Sequence, residues 1–398
     1  MGNLINRAIP EGQHTAMSET AHLSIEQRTA LITRNLEEVI GADEIPALLA
    51  QNLPLRHYIG LEISGRLHLG TGLMCMQKVR DLQQAGVRCT IFLADWHTWI
   101  NDKLGGDRQK IKKVAVGYFK EGLKASLAAL GGDPEALDFV LGSELYHHND
   151  TYWETLIEVG KNTTLNRILR SVSIMGRGEG ESIDFAKLIY PPMQVADVFI
   201  LRANIAQGGM DQRKAHVIAR DVANMLTISP LRDAEGKVIK PIAVHHHLLL
   251  GLDKPSQWPV DADKLRELRT AMKMSKSKPK SAVFIHDTPD EIRGKMRKAF
   301  CPPPADGIEF NPVLDWAEHL IYRNGQTLFV ARTPENGGNL TFARYEDLAA
   351  AYSEGSLHPM DLKNAMSEAL IALLEPVRQH FEDHAEIKAM WTELEAML

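Results

Sequence analysis

Cysteine is scarce: the 398-residue chain carries 3, at Cys75, Cys89 and Cys301. An odd, scattered set with no CxxC excludes a disulfide framework and a cysteine metal site, so these read as ordinary buried or half-buried thiols. Long apolar runs are missing too. No stretch approaches the length that a membrane span requires, and the N-terminus lacks the charged-then-apolar pattern of a signal peptide. Gly2 follows Met1, but Asn6 stands where an acylation motif wants Ser or Thr. A cytoplasmic protein with no membrane partner is therefore expected. Positive charge is in deficit, with 45 Lys and Arg against 51 Asp and Glu for a net charge of −6. That balance gives no global pull toward nucleic acid, DNA is not an expected partner, and any RNA must be met by local basic patches. What is present, 44% hydrophobic and 24% charged residues, is the composition of a globular chain long enough for one large domain and a smaller one.

Residues 1–23 carry Gly, Pro, His and Ser without periodicity and read as a loose tail. Ser24 with Gln27 forms a capping-box pattern, and Ile25, Leu31, Ile32, Leu36 and Val39 recur at helical spacing until Gly41. A surface helix over 25–39 is expected, then a short one over 45–51. From there strands and helices alternate: strand 58–61, helix 72–85, strand 88–95, helix 108–130, strand 138–141. This alternation predicts an α/β fold with a Rossmann-like, doubly wound parallel sheet. Ligands of such a sheet sit at the carboxyl ends of its strands, where Asp95 and His97 would lie beside the Gly70 turn, which makes Ala94 and Asp95 pocket candidates. An Asp at a strand end is about as often a helix cap.

Four stretches carry candidate chemistry. In HYIGLEISGRLHLGTG, residues 57–72, a strand gives way to His68, Gly70 and Gly72 at the start of a helix. Glycine lets the backbone approach, a helix end offers free N–H groups and imidazole adds a donor, so this is a seat for phosphate, although most glycine turns before helices are structural. In IYPPMQVADVFIL, residues 189–201, Tyr190, Gln194 and Asp197 fall on one face of an apolar helix. Buried polar groups there must be satisfied, by the protein or by a ligand. Residues 204–207 read as a strand, Gly208 and Gly209 as a tight turn, and 210–227 as a helix with Gln212, Arg213 and Lys214 in its first turn, a second wall for the same crevice. The last stretch is Lys273-Met274-Ser275-Lys276-Ser277, a short basic loop. Three other features read blandly. Lys161, Arg167 and Arg170 lie on a solvated helix face, 176–181 is a flexible loop, and His245, His246 and His247 alternate across a strand over 244–250, so no metal site is expected.

Taken together, HLG at 68–70 and KMSKS at 273–277 resemble the paired HIGH and KMSKS signatures of class I aminoacyl-tRNA synthetases. Further stretches are similar to the archaeal and eukaryotic type of tyrosyl-tRNA synthetase: LADWH at 93–97, IYPPMQVAD at 189–197, GGMDQRKAH at 208–216, AFCPPP at 299–304 and LHPMDLKNA at 357–365. The likeness is collinear over residues 55–380. It implies ATP-dependent activation of L-tyrosine to tyrosyl-adenylate and transfer to the 3′-terminal ribose of tRNA(Tyr). That chemistry needs placement and charge neutralisation rather than a protein nucleophile.

By resemblance, His68, Gly70, Thr71, Gly72, Lys273, Ser275 and Lys276 would hold ATP, with His68, Lys273 and Lys276 catalytic. Mg2+ would accompany the nucleotide, with no dedicated protein cage. Tyr58, Gly60, Ala94, Tyr190, Gln194, Asp197 and Gln212 would bind the amino acid, Tyr58 and Asp197 at its phenol and Tyr190, Gln194 and Gln212 at its amino group. Phe92, Trp96 and Phe199 are bulky neighbours that leave room for a substituted tyrosine as substrate. Arg213 would meet the acceptor end of tRNA, and His358, Pro359 and Asp361 its anticodon, although HPMD alone reads equally well as a helix cap.

The implied layout is a catalytic domain over 24–287 and an all-helical anticodon-binding domain over 288–398, opened by the capped start at Thr288, in a homodimer. Two positions depart from the family pattern: Thr71 replaces the last histidine of HIGH, and Asn336 stands where an aromatic residue is usual before Gly337. Two other readings compete, a paralogue that activates a tyrosine analogue or serves a non-tRNA acceptor, and an RNA-binding protein without catalysis. The retained His68, Lys273 and Lys276 oppose the latter, and LHPMDLKNA opposes the former.

Overall fold

Six strands, Glu38–Ile40 (β1), Arg56–Leu61 (β2), Arg88–Leu93 (β3), Leu137–Leu141 (β4), Ile205–Gly209 (β5) and Ile242–His246 (β6), make one sheet in the order β1-β6-β5-β2-β3-β4 in the computed structural model. It describes residues 23–176, 184–255, 258, 268–269, 271–276, 278–304 and 308–398. The expected tail up to residue 22, all but Gly176 of the loop at 176–181, and Ser277 lie outside the described residues. Strands β2 to β6 are parallel and only β1 runs against its neighbour. The predicted doubly wound sheet is thus present. β5 and β6 are buried along their whole length, so neither alternates apolar and polar residues. The chain leaves β2 toward β3 on one side and β5 toward β6 on the other, so a crevice opens where the carboxyl ends of β2 and β5 lie side by side.

The helix expected over 25–39 is shorter. It spans Ile25–Thr33, with the capping box of Ser24 and Gln27 in place, and Asn35 at φ 59 turns the chain away. Leu36 precedes and Val39 belongs to β1, which pairs with β6; three residues are too few to show a strand period, and only the distant partner decides. The helical stretch over 152–171 is likewise two helices, Asp150–Lys161 and Leu165–Ser171, the second capped by Thr164.

Beyond the sheet, Thr288 and Glu291 form a capping box that starts Pro289–Lys298. The long helices Pro359–Asp383 and Ala385–Met397 follow. The expected all-helical region needs one amendment, an antiparallel hairpin of Leu328–Val330 (β7) and Leu340–Phe342 (β8) around the glycine turn at 337–338. One buried apolar cluster runs through both regions, from Ile59 and Ile91 in the sheet to Trp316, Leu374 and Leu394 among the helices. At their junction the Leu250 N–H donates to Asp315 Oδ2 at 3.0 Å and the Trp316 indole donates to the Leu250 carbonyl at 2.8 Å. Cys75 and Cys89 are buried and Cys301 half-buried, all as free thiols. No helix among the described residues is long and apolar enough to cross a membrane.

Candidate active site

A cavity of about 620 Å³ lies over the carboxyl ends of β2, β3, β5 and β6. Its floor is β2 itself, from Tyr58 to Leu61, and each of the other three strands delivers residues to its rim: Ala94 and His97, Gly209 and Gln212, His246 and His247. The loop 273–276 closes one side.

On that side, His68 folds back over the helix it precedes. Its Nδ1 accepts from the N–H of Gly70 at 3.1 Å and of Thr71 at 3.3 Å. Gly70 permits this, because a Cβ there would sit 3.0 Å from His68 Cε1. The expectation that these N–H groups are free for a phosphate is therefore corrected: the first turn of a buried helix must satisfy its donors, and the imidazole does so. With Nδ1 accepting, the ring proton is on Nε2, which lies 3.5 Å from Thr71 Oγ1. Burial, reinforced by the charges of Lys276 and Lys273, pushes the His68 pKa down to about 3 and keeps the ring neutral. What this turn offers to a ligand is thus the Nε2–H and the Thr71 hydroxyl. Gly72 is buried off the cavity wall, against Ile285.

The basic loop is pinned to that turn. At its start, Met274 N–H donates to the Leu249 carbonyl at 2.7 Å; after it, Leu69 N–H donates to Val283 at 3.0 Å and Ile285 N–H to Leu67 at 3.0 Å. Lys273 pairs with Asp211 at 2.6 Å, Lys276 donates to Ser64 Oγ at 2.7 Å, and Ser275 lines the cavity between them. Burial pulls the Lys276 pKa down to about 7, against the opposing pull of Glu62.

The opposite wall gathers polar groups from three elements. Glu62 Oε1 accepts from the Tyr190 hydroxyl at 2.9 Å and from Asn101 Nδ2 at 2.9 Å. Gln194 Nε2 donates to Gln212 Oε1 at 3.2 Å, and Gln212 Nε2 to the Ile174 carbonyl at 3.0 Å. Gln194 Oε1 is buried with no partner. Tyr190, Gln194 and Gln212 thus line one cavity, together with a carboxyl group the sequence reading passed over, Glu62, whose pKa burial raises. Glu62 directly follows the last residue of β2, so the strand-end rule that singled out Ala94 applies to it equally. A carboxyl group bonded to the Tyr190 hydroxyl, with the unpartnered Gln194 oxygen in the same cavity, fits an ammonium.

Ala94 lines the cavity, but Asp95 does not: its Oδ1 takes the N–H of Trp96 at 2.9 Å and of Ser143 at 2.8 Å, as a cap. At the deep end, Asp197 is wholly buried and stands behind the cavity wall. Its Oδ1 accepts from the Tyr146 hydroxyl at 3.1 Å. The expected Tyr58 and Asp197 pair is not hydrogen-bonded; the Tyr58 hydroxyl lies across Gly60, where any Cβ would collide with it. Phe92 and Trp96 pack with Tyr146, ring centroids 6.1 and 5.3 Å away. Phe199 instead turns to the opposite side of its helix, among Val195 and Ile218. Tyr146 and Tyr152 escaped the sequence reading of this end, because Tyr146 follows β4 and nothing local announces where it points.

The remaining candidates are scattered. Arg213 Nε donates to Glu38 at 2.7 Å. His358 caps the helix Pro359–Asp383, its Nδ1 accepting from Met360 N–H at 3.1 Å, with Pro359 first and Asp361 in the first turn. Asn336 closes the turn Pro334–Asn336, which Arg332 ties to the Ser356 carbonyl at 3.1 Å, two residues before His358. Of the three consecutive histidines, His246 faces Cys75 while His247 bridges Glu37 at 2.8 Å and Asp315 at 2.7 Å. Glu37, His247 and His319 come within 4.8 Å of one another. The two rings are stacked 3.7 Å apart at 12°, so their in-plane lone pairs do not converge on an ion. Burial opposes a charge on His247, but Asp315 and Glu37 outweigh it and lift its pKa to about 9, which makes the stack an imidazolium on an imidazole.

Compared with known proteins, residues 50–375 match the family of tRNA synthetases class I (W and Y). A tyrosine--tRNA ligase of Thermococcus sibiricus is 57% identical over 92% of this chain and 97% of its own. The crystal structure of a tyrosyl-tRNA synthetase from Pyrococcus horikoshii, complexed with L-tyrosine, superposes with a TM-score of 0.89 at 52% identity, covering 93% of this chain and 100% of that one. One from Aeropyrum pernix does so with a TM-score of 0.77 at 37% identity, covering 94% and 100%.

Proposed function

This chain belongs to the class I tRNA synthetases, in the branch of the tyrosyl-tRNA synthetases, and from that premise we propose that it is a tyrosine-tRNA ligase whose two half-reactions take place in the cavity over β2 and β5. The observation that carries the reading is the backbone pairing of the His68 turn with residues 283–285, shortly after the Lys273 to Lys276 loop, on one side of a cavity whose other side gathers Glu62, Tyr190, Gln194 and Gln212.

Tyr190, Gln194, Gln212 and Glu62 hold the amino group of tyrosine, Tyr58 and Asp197 address its phenol, and Gly60 and Ala94 leave space for the ring. The carboxylate then attacks the α-phosphate of ATP, and pyrophosphate departs. Position and charge do the work, since no group on the protein forms a covalent bond. His68 Nε2–H and the Thr71 hydroxyl meet the phosphates. Lys273 and Lys276 exchange Asp211 and Ser64 for the charge that develops on the leaving pyrophosphate. The cavity carboxylates fit this division: Glu62 is engaged by Tyr190 and Asn101, and Asp211 by Lys273, so Mg2+ is carried by the phosphates of ATP. Membership of class I implies that the terminal 2′-hydroxyl of tRNA attacks the adenylate. Arg213 meets the acceptor end, and His358, Pro359 and Asp361 the anticodon, with the Asn336 turn alongside.

The chain acts in the cytoplasm as a homodimer. Ile157, Leu165, Leu169 and Phe185, on three consecutive helices, support an interface, since all are exposed large apolar side chains. Pyrophosphate exchange with each amino acid, followed by charging of total tRNA, tests the whole reading. Tyrosine-dependent exchange with charging is expected; exchange without charging points to another acceptor, and none at all to an RNA-binding protein.

Thr71 supplies a hydroxyl where the family motif has imidazole. Thr71→Val, which keeps the volume and removes that donor, lowers kcat/KM for ATP in exchange by about 10-fold, the value of one modest hydrogen bond. Thr71→Ser preserves it. Equal rates for Val and Ser remove Thr71 from the nucleotide site.

A further inference from the structure

Asp197 is an unusual anchor for a substrate, because no lysine or arginine among the described residues neutralises it. Three groups surround it, the Tyr146 and Tyr152 hydroxyls, which both oppose the rise of its pKa, and the His97 imidazole. Oδ1 is occupied by the Tyr146 hydroxyl at 3.1 Å. Among the described residues Oδ2 has no hydrogen-bond partner, and 3.7 Å away stands Nε2 of His97, also buried and also without one there. That gap is too long for a hydrogen bond between the two and short enough for a single hydroxyl to reach both. A phenol O–H, which donates once and accepts as well, suits such a pair; a phenyl ring leaves both atoms unpaired.

Tyr146 organises this arrangement from behind. Its hydroxyl also lies 3.5 Å from His97 Nδ1, so one oxygen contacts both the carboxylate and the imidazole. The ring is held by Tyr152 at 4.3 Å and Trp96 at 5.3 Å between centroids, and it is 1% exposed, so it cannot swing away. We propose that Tyr146 is a further specificity-determining residue, a positioning residue whose hydroxyl fixes Asp197 and His97 so that Nε2, on the lining of the amino-acid pocket, and Oδ2, directly behind it, are left to share one hydroxyl. The proposal rests on the reading of Asp197 as the phenol ligand. It adds that the carboxylate alone does not discriminate: a carboxylate free to turn would offer either oxygen to water or to a neighbour.

Tyr146→Phe keeps the ring and deletes the hydroxyl. Amino-acid-dependent pyrophosphate exchange with tyrosine and with phenylalanine gives the kcat/KM ratio for each protein. In Tyr146→Phe the tyrosine preference drops by 10-fold or more, through a higher KM for tyrosine, while the KM for ATP stays as in the parent. Tyr146→Gln, which returns a donor, recovers part of the ratio, and a purely structural defect would not do so. A Tyr146→Phe ratio within twofold of the parent, with tyrosine KM unchanged, overturns the proposal. Asp197→Ala, measured alongside, separates the two levels. If it also leaves the ratio unchanged, the phenol assignment of Asp197 is what fails; if it lowers the ratio and Tyr146→Phe does not, only the role of Tyr146 falls.

Discussion

Lys276→Ala lowers tyrosine-dependent pyrophosphate exchange by about 10²–10³-fold, the usual cost of removing one group that stabilises developing charge in a dry site. The effect falls on kcat, since Lys276 is engaged by Ser64 until charge appears on the leaving group. A pH signature accompanies it. Desolvation holds the Lys276 pKa near 7, so the free protein loses this charge as pH rises through neutrality. The sign is fixed: protonated below and active, neutral above and impaired. Because kcat/KM reports the free protein, its value for ATP declines above about pH 7, whereas kcat, measured with bound phosphates that favour the ammonium, declines later. Lys276→Arg keeps a charge throughout and lacks the limb belonging to residue 276. Parallel profiles for Lys and Arg over pH 6–9 would assign the limb to ATP or to another group.

The second large effect is on choice of substrate. Asp197→Ala abolishes the preference for tyrosine over phenylalanine, a fall in the kcat/KM ratio of about 10–150-fold, equal to about 1.5–3 kcal/mol for a hydrogen bond to a charged group. Most of the change comes from weaker tyrosine, because phenylalanine never used the carboxylate. Competition experiments with both amino acids in one exchange assay check it, and an unchanged ratio removes Asp197 from the pocket. Burial raises the Asp197 pKa far above the usual carboxylate range. Neither protonation state costs the site its hydroxyl-binding ability, since a protonated Oδ2 donates where an ionised one accepts.

The parts of this site that were legible in sequence are those with a local cause. Glycine beside His68, the capping boxes at Ser24 and Thr288, and the polar face of Tyr190, Gln194 and Asp197 each follow from spacing within one turn or one helix. The parallel sheet followed from alternation. What was illegible depends on partners far along the chain. β1 looked helical because only its pairing with β6 makes it a strand. Phe199 looked like a pocket residue because its helix is buried on both faces, and burial on either side leaves the same trace. Tyr146 gave no signal, since its meaning lies in a carboxylate 51 residues away. The His68 cap is an intermediate case: histidine next to a helix start predicts proximity to the free N–H groups, but not that the ring would take them.

The tie between Leu250 and the helical region has a thermodynamic consequence. Leu250 pairs with Lys273 and is clasped on both backbone atoms by Asp315 and Trp316, within an apolar cluster common to sheet and helices. Regions with a common core do not melt separately, so the sheet has no stable half-folded state in which the lysine loop survives without the bundle. A chain truncated before Pro289 would leave the Leu250 amide and carbonyl unpaired against exposed leucines, an aggregation-prone surface rather than a minimal catalyst. Heating therefore removes the loop and the bundle in a single cooperative step.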